Sequence, residues 1–379
     1  MDFSLNDDQR LLEESLGRFL HNEYDLPARR ARIASDDGFS RQTWKTFADL
    51  GWLGVPFTED DGGFGGGPVD VMVVMEAFGR ALVVEPYLPT VLLGGRLIAE
   101  GGSEAMRRAI LPAVIDGAML LAFAHSELDA RFDLADVTTS ARRTDGGFVL
   151  SGRKSLVLGA AAADRLVVSA RSGGDRRSRD GLSLFLVDPA SDGITVHDYP
   201  TVDGHRAAEV TLTGVNVPSD ALIGEEGNAL PLIEDTVDRA VIALCAEAVG
   251  IMATMQAQTV EYLKGRSQFG VPIAKFQALQ HRAVDMFAAC EEARSMALFA
   301  TLNADATPPE RARAASAAKA FIGRKSRTLG QEAIQLHGGM GMTDEMMIGH
   351  LFKRLTVIGT LFGDTDHHLD RFADRASTA

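Results

Sequence analysis

Residues 261–280 read EYLKGRSQFGVPIAKFQALQ and gather a compact set of side chains suited to holding a ligand. Gly265 and Gly270 punctuate the stretch, and Pro272 cannot continue a helix, so a short turn between two long helices is expected. Into that turn the sequence places one guanidinium, Arg266, one amide, Gln268, and one aromatic ring, Phe269. A guanidinium offers paired donors to phosphate, and a flat apolar ring offers a face to a base. The set suits a nucleotide diphosphate. An ordinary helix–helix turn with a surface arginine fits the same residues.

From Arg266 to Gln277 the pattern Arg-x-Gln-Phe-Gly-x-Pro-Ile-x-x-Phe-Gln resembles, without a break, a turn of the acyl-CoA dehydrogenase family. Downstream, Gln335-Leu336-His337-Gly338-Gly339-Met340-Gly341 stands where that family has its Gln-x-x-Gly-Gly loop. The resemblance covers essentially the whole chain and is weaker in the middle. It implies an FAD-dependent flavoprotein acting on acyl-CoA thioesters. It further implies that the two motifs grip the adenosine diphosphate half of FAD in a neighbouring subunit. The residues carried over as cofactor contacts are Arg266, Gln268, Phe269, Phe276, Gln277, Gln335, Gly338 and Gly339.

The resembling family seats its flavin ring against two middle stretches, Thr-Glu-Pro-Gly-Ala-Gly-Ser-Asp and one containing Trp-Ile-Thr-Asn. Here the first reads Ser126-Glu127-Leu128-Asp129-Ala130-Arg131-Phe132-Asp133, without the proline or either glycine. The second reads Lys154-Ser155-Leu156-Val157-Leu158-Gly159, with Leu156 for the tryptophan and Leu158 for the threonine. Ser126 and Leu158 are the ring-side positions carried over. Arg131 and Phe132 add bulk where glycine lets a backbone approach a ring. Leu158 removes a hydroxyl worth about 0.5–1.5 kcal/mol where a partner needs it. Backbone donors remain available to a flavin.

Acyl-CoA dehydrogenation needs a carboxylate within hydrogen-bond reach of the α-proton. The family's commoner glutamate lies in a Tyr-Glu-Gly-Thr segment, matched here by Leu361-Phe362-Gly363-Asp364, so Phe362 takes its place. The alternative glutamate precedes an arginine early in the first bundle helix, matched here by Asp238-Arg239. Asp238 is one methylene short, setting its carboxylate back by about 1.5 Å. A misplacement of about 1 Å can cost on the order of a hundredfold in rate. An aspartate near a helix start is also favoured by the dipole alone. Asp364 and Asp366 are carried with the cofactor set, although flanking Thr365 they also suit helix capping. Glu247 is expected to be buried and paired. His367 and His368 are adjacent on a helix and expected to diverge, so no metal site is assigned.

The elements that must carry these residues fall into an α+β multidomain chain. Residues 1–117 read as an N-terminal helical domain, with Asn6 and Ser40 as caps and helices over 69–82, 88–100 and 104–115. Between them DDGGFGGGP reads as a flexible loop rather than a dinucleotide fingerprint, because no strand–helix pair brackets it. Residues 118–228 form short β-rich runs, including 147–159, 165–171 and 194–200, expected as a small barrel or sandwich. Residues 229–379 read as a four-helix bundle, with helices over 230–264, 276–303, 308–336 and 344–360, and a short one from 365. The 379 residues carry a net charge of −14, which disfavours nucleic acid and anionic membrane as partners. Cys245 and Cys290 sit in apolar helical runs and read as buried small hydrophobes. The N-terminal MDFSLNDDQR has no apolar run, and the apolar stretch 241–255 is shorter than a membrane span, so a cytoplasmic protein is expected.

The tail FKRLTVIGTLFGDTDHHLDRFA resembles the small-subunit branch of the family, near pimeloyl-CoA dehydrogenase small subunits and paired dehydrogenases of steroid side-chain breakdown. That branch implies a heterotetramer, a glutamate-bearing partner subunit and an electron-transferring flavoprotein as acceptor. Three readings follow. The chain is an FAD-lending, base-poor subunit, an active homo-oligomeric dehydrogenase using Asp238, or a flavin-free structural subunit. The first is favoured, because the nucleotide half of the site is intact while the ring half and the base are altered.

Overall fold

A computed structural model describes residues 4–376, so the first three residues of the acidic N-terminal stretch lie outside the described part. The N-terminal helices are α1 (Asp7–Glu23), α2 (Leu26–Ile33), α3 (Arg41–Asp49), α4 (Pro68–Ala81), α5 (Arg96–Gly101) and α6 (Glu104–Ile115). The strands are β1 (Leu121–Ala124), β2 (Ser140–Thr144), β3 (Gly147–Leu158), β4 (Arg165–Arg171), β5 (Leu182–Val187), β6 (Ile194–Pro200), β7 (Arg206–Pro218) and β8 (Leu222–Ile223). Long helices follow: α7 (Leu230–Gly265), α8 (Gln277–Leu302), α9 (Pro308–His337), α10 (Met347–Ile358) and α11 (Thr365–Ala376). Between α7 and α8 lie two-residue strands, β9 (Ser267–Gln268) and β10 (Val271–Pro272). Packing divides the chain into two compact units. One comprises Met1–Arg30, Pro68–Val83 and Val241–Ala379, the other Ala31–Gly67 and Val84–Ala240.

The first unit is helical. Asn6 starts α1 with a capping box, its side chain accepting from Gln9 N at 2.8 Å while Gln9 returns to Asn6 N at 3.1 Å. At the start of α9, Glu310 Oε2 accepts from both Thr307 N at 3.2 Å and Thr307 Oγ1 at 2.6 Å. Helices α4 and α7 touch backbone to backbone through two glycines. A Cβ on Gly79 would stand 2.0 Å from the Glu247 carbonyl oxygen, and one on Gly250 would stand 2.0 Å from that of Glu76. Thr254 Oγ1 adds a hydrogen bond to Arg80 O at 3.2 Å. The expected pairing of Glu247 is with Arg354 of α10. Nε and Nη2 donate to its two oxygens at 2.6 and 2.8 Å, with both side chains 5% exposed. Helix α7, at 36 residues, is long and apolar enough to cross a membrane, but its apolar window is 78% buried, as in a core helix.

The second unit holds one mixed sheet in the order β6-β7-β3-β2-β4-β5-β8, with β1 parallel to β4. Its apolar layer includes Phe148, Leu150, Leu166, Val168, Phe185 and Val210, all buried. The glycine-rich stretch expected to be flexible is instead pinned. Phe64, Gly65 and Gly66 donate to the carbonyls of Gly54, Phe57 and Val55, and both Asp61 oxygens accept from Arg107 at 2.9 Å. Glycine there serves close backbone approach, since a Cβ on Gly63 would meet Phe57 O at 2.3 Å. Residues 88–95, expected as ordinary helix, form a fully buried π-helical segment that leads into α5.

Candidate active site

In the second unit the two ring-side stretches lie together. Ser155 N donates to Ser126 O at 2.9 Å, which fastens the loop after β1 to β3. Beneath that bond lies a buried ion pair. Lys154 Nζ donates to Glu127 Oε1 at 2.8 Å and to Ser169 Oγ at 3.1 Å. Glu127 also accepts from Thr138 N at 2.8 Å, from Thr139 N at 3.0 Å and from both threonine hydroxyls. Burial alone would push the Glu127 carboxyl up. The Lys154 ammonium and the threonine donors outweigh it and hold the carboxyl down to about 2. Leu128 is 82% and Leu156 43% exposed, so two leucines join the charged Asp129, Arg131 and Asp133 on the exposed ring-side surface. Leu158 closes β3 opposite Ala207 of β7.

Among the described residues, five other than glycine have left-handed backbone: Leu82 (φ 56°), Arg131 (51°), Leu156 (52°), Phe269 (55°) and Phe362 (56°). Four of these five fall in stretches singled out above, one each in 126–133, 154–159, 261–280 and 361–364. Such a conformation costs about 1–2 kcal/mol per residue and persists where the surroundings impose it. At Leu156 it coincides with a break in the β3–β7 register between Lys154 and Val157.

In the first unit the predicted turn is a two-residue hairpin. Gln268 pairs with Val271 and Ser267 with Pro272, and both turn residues, Phe269 and Gly270, have positive φ, 55° and 79°. That is the pattern of a type I′ turn, which selects Asn-Gly or Gly-Gly rather than Phe-Gly. Phe269 is 92% exposed and meets Phe276 edge-on, with ring centroids 6.1 Å apart. The side chains of Arg266, Gln268, Gln277 and Gln335 make no hydrogen bond or ion pair among the described residues. A clasp brings the second motif to the same end of the bundle. Tyr262 stacks on His337 at 4.4 Å, and its hydroxyl donates to His337 O at 3.2 Å. Gly338 and Gly339 follow, exposed, with open space where a Cβ would stand.

Phe362 lies between α10 and α11. Asp364 caps α11 by accepting from His367 N at 2.9 Å, while Asp366 is exposed. The expected divergence of His367 and His368 does not occur; their rings meet edge-on at 5.0 Å. Both fold over Gly363, where a Cβ would stand 2.5 Å from His367 Cδ2 and 2.6 Å from His368 Nε2. Asp238 lies in the third turn of α7 and is 2% exposed. Its neighbour Arg239 turns to Asp235 at 3.2 Å, which also accepts from Arg96 at 2.8 Å. The helical unit also contains a cavity of about 570 Å³ between α1, α4, α7 and α8, and none of the predicted site residues lines it.

Sequence profiles of the acyl-CoA dehydrogenase N-terminal, middle and C-terminal domains match residues 6–118, 122–215 and 230–377. The chain belongs to the acyl-CoA dehydrogenase family. It is 29% identical to the probable acyl-CoA dehydrogenase YngJ of Bacillus subtilis over 93% of both chains. It is 31% identical to the acyl-CoA dehydrogenase FadE12 of Mycobacterium tuberculosis, over 80% of this chain and 79% of that one. Among solved structures, the FAD complex of PigA superposes with TM-score 0.92 at 25% identity, covering 100% of this chain and 99% of the other. The Tcur3481–Tcur3483 steroid ACAD G363A variant superposes with TM-score 0.87 at 29% identity, covering 99% of each. The chain is thus an acyl-CoA dehydrogenase, an oxidoreductase acting on CH–CH groups, with the helical, β-sheet and helical domains of that fold.

FAD is the cofactor the family implies, and when bound it supplies the oxidising ring. The adenosine side fits the residues present. Arg266 would meet the diphosphate, Phe269 the base, and Gly338 and Gly339 leave room for close approach. The ring side offers backbone groups and the exposed side chains of Leu128 and Leu156 beside charged Asp129 and Arg131, without a hydroxyl at 158. Sequence reasoning missed the Glu127–Lys154 anchor, the Tyr262–His337 clasp and a buried lysine in α9, Lys319. Only Lys319 left a local trace, as a lone charge within the run Ala-Ala-Ser-Ala-Ala-Lys-Ala.

Proposed function

We propose that the chain is the FAD-lending subunit of a heteromeric acyl-CoA dehydrogenase. It contributes the adenosine grip, while a glutamate-bearing partner contributes the base and most of the ring seat. Phe269 carries this reading. Its turn position disfavours phenylalanine, and burial within the chain does not repay the ring, which is 92% exposed. A contact outside the chain accounts for both. The unpartnered polar side chains around it support the same division of labour, as do the exposed Leu128 and Leu156 on the ring side and Phe362 at the base position. The steroid ACAD carries two chain designations, Tcur3481 and Tcur3483, and likeness to it supports a two-chain assembly here. On this reading the protein is cytoplasmic, forms a tetramer, takes a thioester from fatty acid or steroid side-chain β-oxidation and passes electrons to an electron-transferring flavoprotein.

Colour tests it. Purified alone, the chain is expected to be colourless; co-purified with a glutamate-bearing dehydrogenase subunit, the complex is expected to be yellow. Arg266→Ala is expected to lower flavin retention in that complex by at least tenfold, through loss of a charge-assisted contact worth about 1.5–3 kcal/mol. A singly expressed chain holding one flavin per subunit and oxidising a thioester would overturn the proposal.

A further inference from the structure

The loop between α10 and α11 is held from below by side chains that do no other evident work. Lys319 of α9 is 2% exposed, and its Nζ donates to Leu361 O at 2.9 Å and to Gly363 O at 2.7 Å. The carbonyl between them, Phe362 O, accepts from His368 Nε2 at 3.1 Å. Three successive carbonyls are therefore each met by a side-chain donor. With Nε2 donating, Nδ1 of His368 accepts from Ser316 Oγ at 3.3 Å, and Ser316 Oγ accepts from Arg371 Nη1 at 3.4 Å. The chain of donors fixes one tautomer of the imidazole. Burial and the neighbouring Lys319, His367 and Arg371 cations or ring push the His368 pKa far down, to about 2, which keeps it neutral.

This arrangement addresses the main chain and ignores the side chain at 362. It also holds Phe362 at φ 56° and Gly363 at φ 120°, a turn that an unsupported loop would relax. Gly363 is required for it, because any side chain there would collide with His368.

We propose that Lys319, backed by His368 and Ser316, is the positioning residue of this loop, fixing where the side chain of residue 362 is delivered whatever that side chain is. Its relevance to catalysis rests on the reading that residues 361–364 occupy the family's base segment; the clamp itself does not. An ammonium is suited to the task because it can serve two carbonyls at once from one buried point. The chain then keeps the mount of a catalytic group after the group has been replaced.

The test uses the full chain with 4-fluorophenylalanine placed at position 362 alone. The unsubstituted chain is expected to give one narrow fluorine resonance. Lys319→Met is expected to broaden or split it and to speed amide exchange of residues 361–368 at least tenfold, while exchange in α7 and the β9–β10 hairpin stays unchanged. His368→Gln, which keeps a donor, is expected to leave the resonance narrow, whereas His368→Ala broadens it. A folded Lys319→Met chain with an unaltered resonance and unaltered exchange would overturn the proposal. Should that variant fail to fold, identical spectra for His368→Gln and His368→Ala would overturn it instead. None of these readouts involves flavin, so the clamp and the FAD-lending role stand or fall separately.

Discussion

Phe269→Asn is expected to make the isolated chain more stable and the flavin complex weaker. The residue opens a hairpin turn in which both positions have positive φ, and Asn-Gly is the pair that such a turn prefers. Removing an unfavourable left-handed phenylalanine is worth up to about 1 kcal/mol, and the exposed ring gives up almost no burial. Against a bound adenine the same ring is worth about 1–3 kcal/mol by stacking, on the order of ten- to a hundredfold in affinity. Thermal melting of the chain and flavin content of the co-purified complex should therefore move in opposite directions. A variant that loses stability and keeps its flavin would show that the ring serves the fold.

Glu127→Gln is expected to cost about 3–5 kcal/mol, the usual penalty for leaving one member of a buried ion pair uncompensated. The pH dependence identifies the cause. In the folded chain the carboxyl is held down to about 2, against 4.5 ordinarily. Its contribution is thus fully present above about pH 4.5 and is lost as pH falls through about 2. At ~1.4 kcal/mol per pH unit that interval amounts to about 3 kcal/mol. Lys154 acts in the opposite sense. Burial lowers its ammonium from 10.5 to about 8 in spite of Glu127, so its charge costs stability, and the cost is relieved as pH rises from about 8 toward 10.5. The carboxylate dominates the pair, because it has four threonine donors besides the lysine. In urea unfolding the difference between the original and Glu127→Gln chains should narrow as pH drops below 4.5; a constant gap would refute the assignment.

Where side chains repeat along one element, the sequence could be read to the residue. Arg165–Arg171 and Ile194–Pro200 are bounded by turn residues and carry β-branched runs, and both strands occupy the expected positions. Strand β2, SARRT, went unread because only Ala141 is buried; the sheet recruits it by hydrogen bonding rather than by apolar pattern. Helix α2, LPARRARI, escaped because it is short, begins next to a proline and is rich in arginine. The glycine-rich stretch misled in the other direction, since glycine signals flexibility and close packing alike. For the candidate site, local motifs disclosed a turn after α7 and the diglycine loop, but not the β9–β10 pairing within that turn. They could not disclose that Lys154 answers Glu127, or that Lys319 reaches a loop 42 positions away. Such pairs exist only once distant segments meet.

The interlocked glycines of α4 and α7 limit how the helical unit can move. Neighbouring helices usually accommodate change by sliding a little on a cushion of mobile side chains. Here Gly79 and Gly250 remove the cushion and seat each helix against the other's carbonyls. Lateral creep between these two helices has no soft coordinate to follow. Any rearrangement on assembly with another subunit must carry them together as a single strut and take up its displacement in the loops at their ends.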